Sequence, residues 1–271
     1  MISDASLRTW LLVAVVLLAG GASARAETAR ELLDQVKHLN ATTRKWTDRT
    51  QRLQLKIIDR RGSERVRDLD IYMKKYPDDA NRSILFFQAP AEIKGTGFLQ
   101  WANAHKGDEQ WLFLPELKRV RQISGGSKRE SFVGTDFSYE DLAIVSQILD
   151  WTDADAQTSL LRDESIDGST ASVIEFTPTG KDIGYGRVRI ALRRADSVVL
   201  RYEFVDKKDA VAKILTVGDI RPVGAIPSAF HMDMQNVQNR SRTLVDFSSI
   251  TYDSGLADDV FTQRTLERGG V

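Results

Sequence analysis

The twelve residues SFVGTDFSYEDL (Ser131–Leu142) hold three carboxylates, Asp136, Glu140 and Asp141, among two phenylalanines, a tyrosine and a glycine. Clustered carboxylates can do acid–base chemistry if a dry pocket shifts their pKa values. The same residues also suit a helix start, with Asp136 or Ser138 as N-cap and Glu140 and Asp141 in the first turn. Capping preferences alone account for those positions, so the helix start is the favoured reading. His38, His105 and His231 are widely spaced, no HExxH-type pattern occurs, and there is no cysteine. Neither a metal site nor a thiolate nucleophile is expected. The stretch SGGSKRE lacks the G-x-S-x-G spacing of a hydrolase nucleophile and reads as a flexible loop. A Ser–His–Asp arrangement using His231 is the one catalytic alternative. Yet His231 lies in the alternating AFHMDM, where a strand histidine on one face is the ordinary explanation. The expectation is no catalytic residue and no cofactor.

Just upstream, LKRVRQISGGSKRE presents Lys118, Arg119, Arg121, Lys128 and Arg129 with no acid between Glu116 and Glu130. Two readings fit equally: a charged strand edge that resists sheet-to-sheet aggregation, or a contact surface for an acidic partner or anionic headgroups. GFLQWAN and QWLFLP place Phe98, Trp101, Trp111 and Phe113 on adjacent strands, and Trp111 to Leu114 leave neither face of their strand polar. Core packing explains this first; an aromatic-lined apolar cavity is the second explanation.

The chain opens with an apolar run from Trp10 to Leu18 and an Ala24-Arg25-Ala26 pattern, which reads as a secretory signal peptide over residues 1–26, cleaved before Glu27. A membrane anchor would need about 18 or more uninterrupted apolar residues. Arg8, Arg25 and Asp4 leave with the leader, and residues 27–271 stay close to neutral. Bulk charge therefore recruits neither nucleic acid nor an anionic membrane. With no cysteine there is neither a disulfide framework nor a lipid attachment point, so a soluble periplasmic protein with a packed core is expected.

Thr28-Ala-Arg-Glu31 reads as a capping box, leading into an apolar stripe of Ala29, Leu32, Leu33, Val36 and Leu39. The remainder of the chain is almost entirely strand and turn, from RLQLKII to RTLVDFSSITYD. Tight turns make such strands antiparallel neighbours, and no linker marks a domain boundary. The pattern predicts one meander of about eleven or twelve strands over residues 27–271. A sheet of that length curls, and its apolar face needs a cover. The N-terminal helix and SYEDLAIVSQIL are the segments available.

WLFLPELKRVRQISGGSKRESFVGTDFSYEDL, together with the leader and FSSITYDSGLADDVFT near the end, resembles the LolA-like family of outer-membrane lipoprotein-sorting proteins, in the branch that accompanies RND-type (MMPL-like) exporters. The resemblance spans most of residues 27–271, and Phe113–Gly125 and Ser131–Leu142 are its most specific blocks. It implies a mainly β fold, an incomplete antiparallel β-barrel of about eleven strands with a few helices over the concave apolar face. The cavity beneath the helices would receive acyl chains. The implied function is that of a periplasmic carrier, expected to be a monomer, that takes a lipidated protein or a lipid from an inner-membrane transporter (RND/MMPL-like or ABC) to an outer-membrane acceptor. This branch departs from LolA proper in sequence and length, so a phospholipid or hopanoid is as suitable a cargo as a lipoprotein. Phe98, Trp101, Trp111, Phe113, Phe132, Phe137, Tyr139 and Leu142 are the expected cavity and lid residues. Lys118, Arg119 and Arg121 are the expected partner or headgroup contacts. Gly134 would permit a turn, Phe132 and Phe137 would point inward, and the acids would cap the helix after them. A lipid hydrolase using the same cavity and a non-transporting envelope scaffold are the alternatives.

Overall fold

The computed structural model describes residues 27–77, 80–103, 108–180 and 182–271. The expected signal peptide lies outside the described residues, as does His105.

Helix α1 (Ala29–Ala41) begins with the expected capping box: the Glu31 backbone N–H donates to the Thr28 hydroxyl at 3.2 Å, and the Thr28 N–H donates to the Glu31 carboxylate at 2.8 Å. Its stripe of Ala29, Leu32, Leu33 and Val36 is buried. The strands are β1 (Asp48–Ile58), β2 (Glu64–Lys75), β3 (Asn81–Ala89), β4 (Gly97–Ala102), β5 (Glu109–Leu114), β6 (Arg119–Ile123), β7 (Ala156–Leu160), β8 (Glu164–Ile166), β9 (Ser169–Pro178), β10 (Tyr185–Arg193), β11 (Val199–Asp206), β12 (Val211–Val223), β13 (Ile226–Asn236) and β14 (Ser241–Tyr252). They form one open antiparallel sheet of order β6-β5-β4-β3-β2-β1-β14-β13-β12-β11-β10-β9-β7, with β8 also on β9. The fold is mainly β, as expected, with 14 strands rather than about eleven. The alternating apolar segments became β1–β6 and β9–β14. β7 and β8 were missed because AQTSL and ESI are short and mostly polar, and they lie at the sheet edge, where little apolar burial is demanded.

Among the described residues, only the β1–β14 pairing joins the two meanders, so the sheet's free edges are β6 and the β7/β8 side. The chain must pass from one edge to the other between β6 and β7. It does so through helix α2 (Tyr139–Gln147) and a short 3-10 turn (Ile148–Asp150), which pack on the apolar face shared by both halves of the sheet. One continuous core results. It unites Leu85, Phe87 and Leu112 from one half, Phe176, Ile190 and Phe204 from the other, and α1 and α2 between them.

The opposite face of β3–β5 carries a second core, covered by helix α3 (Gln263–Arg268) and the 3-10 turn before it. Two covered faces explain why Ile84–Phe87 and Trp111–Phe113 are apolar without alternation: successive side chains point to opposite faces, and both faces are dry. Gly97 lets α3 come close, since a Cβ there would lie 2.7 Å from Leu266 Cδ1.

Candidate functional site

The segment Ser131–Ser138 turns back on itself. Val133 and Gly134 take positive φ values of 47° and 74°, the Phe132 N–H donates to the Phe137 carbonyl at 2.7 Å, and Ser131 pairs with Ser138. The turn that Gly134 was expected to permit thus occupies two residues. It delivers Phe132 and Phe137 to the concave core, where Phe132 lies 5.9 Å from Phe87, 5.4 Å from Phe98 and 5.5 Å from Tyr139, ring centre to ring centre. Aromatic pairs prefer offset-stacked or edge-on geometry; Phe87 stacks on Phe132, while Phe98 and Tyr139 meet it edge-on. Leu142 packs at the margin of the same core.

The eight residues expected to line one cavity therefore divide. Phe98, Phe132, Phe137, Tyr139 and Leu142 meet on the concave face, whereas Trp101, Trp111 and Phe113 belong to the second core on the other face. Strand register is the reason: Phe98 stands opposite Leu112, and Leu99 opposite Trp111, so odd and even positions of β4 and β5 go to different faces. Trp101 packs edge-on against Trp111 at 5.1 Å and donates from Nε1 to the Phe261 carbonyl at 3.0 Å, under the C-terminal helix.

Ser138 is the N-cap of α2 and forms a reciprocal capping box with Asp141. The three acids do more than cap, and this corrects the simpler expectation. Asp141 has no exposed surface; Lys213 Nζ and the Tyr185 hydroxyl each donate to it at 2.6 Å. Glu140 accepts the Gly184 N–H at 2.8 Å. Asp136 accepts the hydroxyls of Ser241 and Thr243, the latter at 2.8 Å. Each acid thus fastens the lid to a strand or strand end of the C-terminal half. Burial pushes the Glu140 carboxyl above its ordinary pKa, the Gly184 N–H opposes this, and the Asp141 charge adds to the rise. Burial, then the charge of Asp141, drives the Tyr185 hydroxyl far upward. From the other half of the sheet, the Arg67 guanidinium of β2 donates to the Val133 carbonyl and lies over the Phe87 ring. Lys213 was legible in retrospect: it is in phase with Leu215 and Val217, which face the apolar core, and a lysine on that side of a strand needs a buried partner.

The concavity is filled by its own side chains, with Phe87, Ile148, Ile174 and Phe204 fully buried. Gln100 and Gln110 share that face. Gln110 Nε2 donates to the Tyr139 carbonyl at 3.1 Å, which leaves Gln100 Nε2 and Gln110 Oε1 buried without partners. A cleft of about 440 Å³ opens at the lid's start, lined by Arg65, Arg129, Gly134, Asp136, Lys213 and Asn239 among others. Lys118, Arg119 and Arg121 lie exposed on and beside the edge strand β6; Arg121 reaches Glu130 at 3.3 Å. His231 lies on the convex side of β13, since its neighbours Met232 and Met234 face the core, and it meets Asp246 at 2.6 Å. Among the described residues, no group of three metal-ligating side chains occurs, and no helix is long and apolar enough to cross a membrane.

Residues 79–268 match a family model described as uncharacterized protein-like. The chain belongs to this family. It is 28% identical to a domain assigned as an outer membrane lipoprotein-sorting protein from Vibrio parahaemolyticus, with 87% of this chain and 98% of that chain covered and a TM-score of 0.79. It is 27% identical to a DUF1329 family protein from Desulfovibrio piger, covering 89% and 100%, with a TM-score of 0.81. A LolA superfamily protein from Nitrosomonas europaea shares the fold at 18% identity, with 89% and 100% covered and a TM-score of 0.66. No curated protein matches the sequence. The LolA-like fold assigns the open antiparallel sheet and its helical cover to a known architecture.

Proposed function

We propose that this LolA-like chain is a periplasmic, non-catalytic carrier that holds the acyl chains of a lipoprotein or lipid on its concave face, beneath α1, α2 and the Ser131–Ser138 lid. One observation carries the reading. The chain connection between the two free edges of the sheet crosses the apolar concavity, and it fills that space with Phe132, Phe137 and Tyr139. Withdrawing these rings would bare apolar volume of the kind an acyl chain needs, and each CH₂ kept from water is worth about 0.8 kcal/mol. The partnerless Gln100 Nε2 and Gln110 Oε1 support the same reading, because an ester carbonyl would satisfy the first and an amide linkage, with its N–H, could satisfy both. In this proposal the chain works as a monomer between an inner-membrane transporter of RND/MMPL or ABC type and an outer-membrane acceptor. The exposed Lys118, Arg119 and Arg121, with the neighbouring exposed Leu117, form the docking edge.

The test uses a neutral fluorescent acylglycerol and a thermal melt. The wild-type chain takes up the probe saturably, and Phe137→Ala weakens uptake while costing about 3–5 kcal/mol of stability, since the ring is core-packed. A folded wild-type chain that takes up no probe overturns the carrier.

A further inference from the structure

The cleft at the start of the lid is lined by Lys213, which pairs with Asp141, and by Arg65 and Arg129, with Arg67 beside it. Arg65 and Arg67 alternate with Val66 on β2 and so share a face, the face that also carries Leu69 into the concave core. Arg67 is buried, with 9% of its surface exposed, and its guanidinium has a carbonyl and a ring as partners but no carboxylate. Burial, then the nearby charge of Arg65, presses its pKa below the ordinary arginine value, as expected where like charges face each other unrelieved. Gly134 lines the cleft, and a Cβ on it would lie 3.7 Å from the Arg67 Nη2 atom, so the missing side chain leaves Arg67 reachable from the cleft. Arg129 also lines the cleft and donates to the Asp182 carbonyl at 3.3 Å, with the Glu140 charge nearby. Arg60 and Arg61 line an adjoining hollow that shares Asp59, Asn239 and Ser241 with the cleft.

The acids of the cleft are already engaged. Asp59 accepts the N–H groups of Arg61 and Ser63, Asp136 accepts the Ser241 and Thr243 hydroxyls, and Asp141 takes the charge of Lys213. Arg65 and Arg129 thus line the cleft and Arg67 lies behind Gly134; Arg65 and Arg129 sense the charges of Asp59 and Glu140, whose oxygens accept backbone N–H groups. Guanidinium is the side chain best shaped for bidentate contact with phosphate.

We propose that this cleft binds a phosphate-bearing group through Arg65, Arg67 and Arg129, and that its natural source is the headgroup of a lipid whose acyl chains lie under the lid. This rests on the carrier reading and narrows its cargo to phosphate-bearing lipids. The volume of about 440 Å³ suits a small headgroup, and the position at Gly134–Ser138 sets it where acyl chains would emerge.

The experiment compares residues 27–271 with their Arg65→Gln/Arg129→Gln variant, a pair of exposed positions whose replacement is expected to leave the melt nearly unchanged. Three probes are titrated: fluorescent phosphatidylglycerol, a neutral fluorescent diacylglycerol with the same acyl chains, and sn-glycerol 3-phosphate. The double variant is expected to bind phosphatidylglycerol about tenfold more weakly and diacylglycerol equally well, the loss typical of at least one charge-assisted hydrogen bond. Glycerol phosphate binding as tightly as the lipid would identify a free phosphate ester as the source. Phosphatidylglycerol binding that equals diacylglycerol binding and is indifferent to the substitutions overturns the phosphate site and leaves the carrier standing. If neither lipid binds but glycerol phosphate does, in wild type only, the carrier fails and the anion site survives. Binding of none of the three overturns both.

Discussion

Asp141 illustrates how much one residue of the lid carries. It caps its own helix, accepts the Tyr185 hydroxyl and neutralises Lys213, whose side chain is only 15% exposed. By its place in the first turn alone, replacing it would cost little. Removing one member of a buried pair instead strands the other charge, so Asp141→Asn is expected to cost about 3–5 kcal/mol in urea unfolding. Adding Lys213→Met should recover most of that loss. Glu140 behaves differently. Burial raises its pKa in the folded chain above the unfolded value of 4.5, so the folded state holds the proton more tightly. Stability from this group is therefore lost as pH rises from the unfolded value through the folded one, and no penalty exists below 4.5, where both states are protonated. Glu140→Gln keeps an acceptor for the Gly184 N–H without the charge. Its Tm should exceed that of wild type at neutral pH and converge with it in acid; a constant difference across the titration would rule out ionisation as the cause.

At the scale of elements, the C-terminal helix is what divides the aromatics. α3 has six residues, too few for a periodic stripe, and its Thr262 cap and left-handed Gly269 are the main local signals of its ends. Without it, Trp101, Trp111 and Phe113 read as cavity lining; with it, they are the floor of a second core. Phe261 is fully buried there. Phe261→Ala is expected to cost about 3–5 kcal/mol and to shift tryptophan emission to the red as Trp101 and Trp111 become wet. Acylglycerol uptake should persist in the folded variant, because this core faces away from the lid. Lost uptake with a native melt would link the two faces.

For the whole molecule, the connection between opposite sheet edges makes the cover of the concavity part of the chain's topology. The lid is held by Arg67 from one half of the sheet and by Lys213, Tyr185, Ser241 and Thr243 from the other. Such a cover can open by releasing side-chain contacts alone, because no strand pairing among the described residues joins it to the sheet. The chain has no cysteine, so a pair introduced as Asp136→Cys/Ser241→Cys, where the side chains now touch, would form a single unambiguous lock. Oxidation should abolish acylglycerol uptake, and dithiothreitol should restore it. Undiminished uptake by the oxidised form would show that cargo enters without moving the lid.

Local pattern by itself determined the first helix with its capping box, the antiparallel meander and a helix start at Asp136 or Ser138, of which the structure chose Ser138, because caps and strand periodicity are properties of neighbouring residues. It also placed Phe98, Phe132, Phe137, Tyr139 and Leu142 in apolar surroundings. Tertiary structure alone decided which face each aromatic occupies, since the second face of β3–β5 is dry only because α3 covers it. It also decided the partners of the acids. Lys213 lies 72 residues from Asp141, and Thr243 lies 107 from Asp136, distances across which only strand register brings side chains together. The meeting of Arg65 and Arg129 at one cleft, with Arg67 on the lid's Val133 carbonyl, has the same origin: a hairpin of the first meander and the approach to the lid meet at a place that neither segment specifies alone.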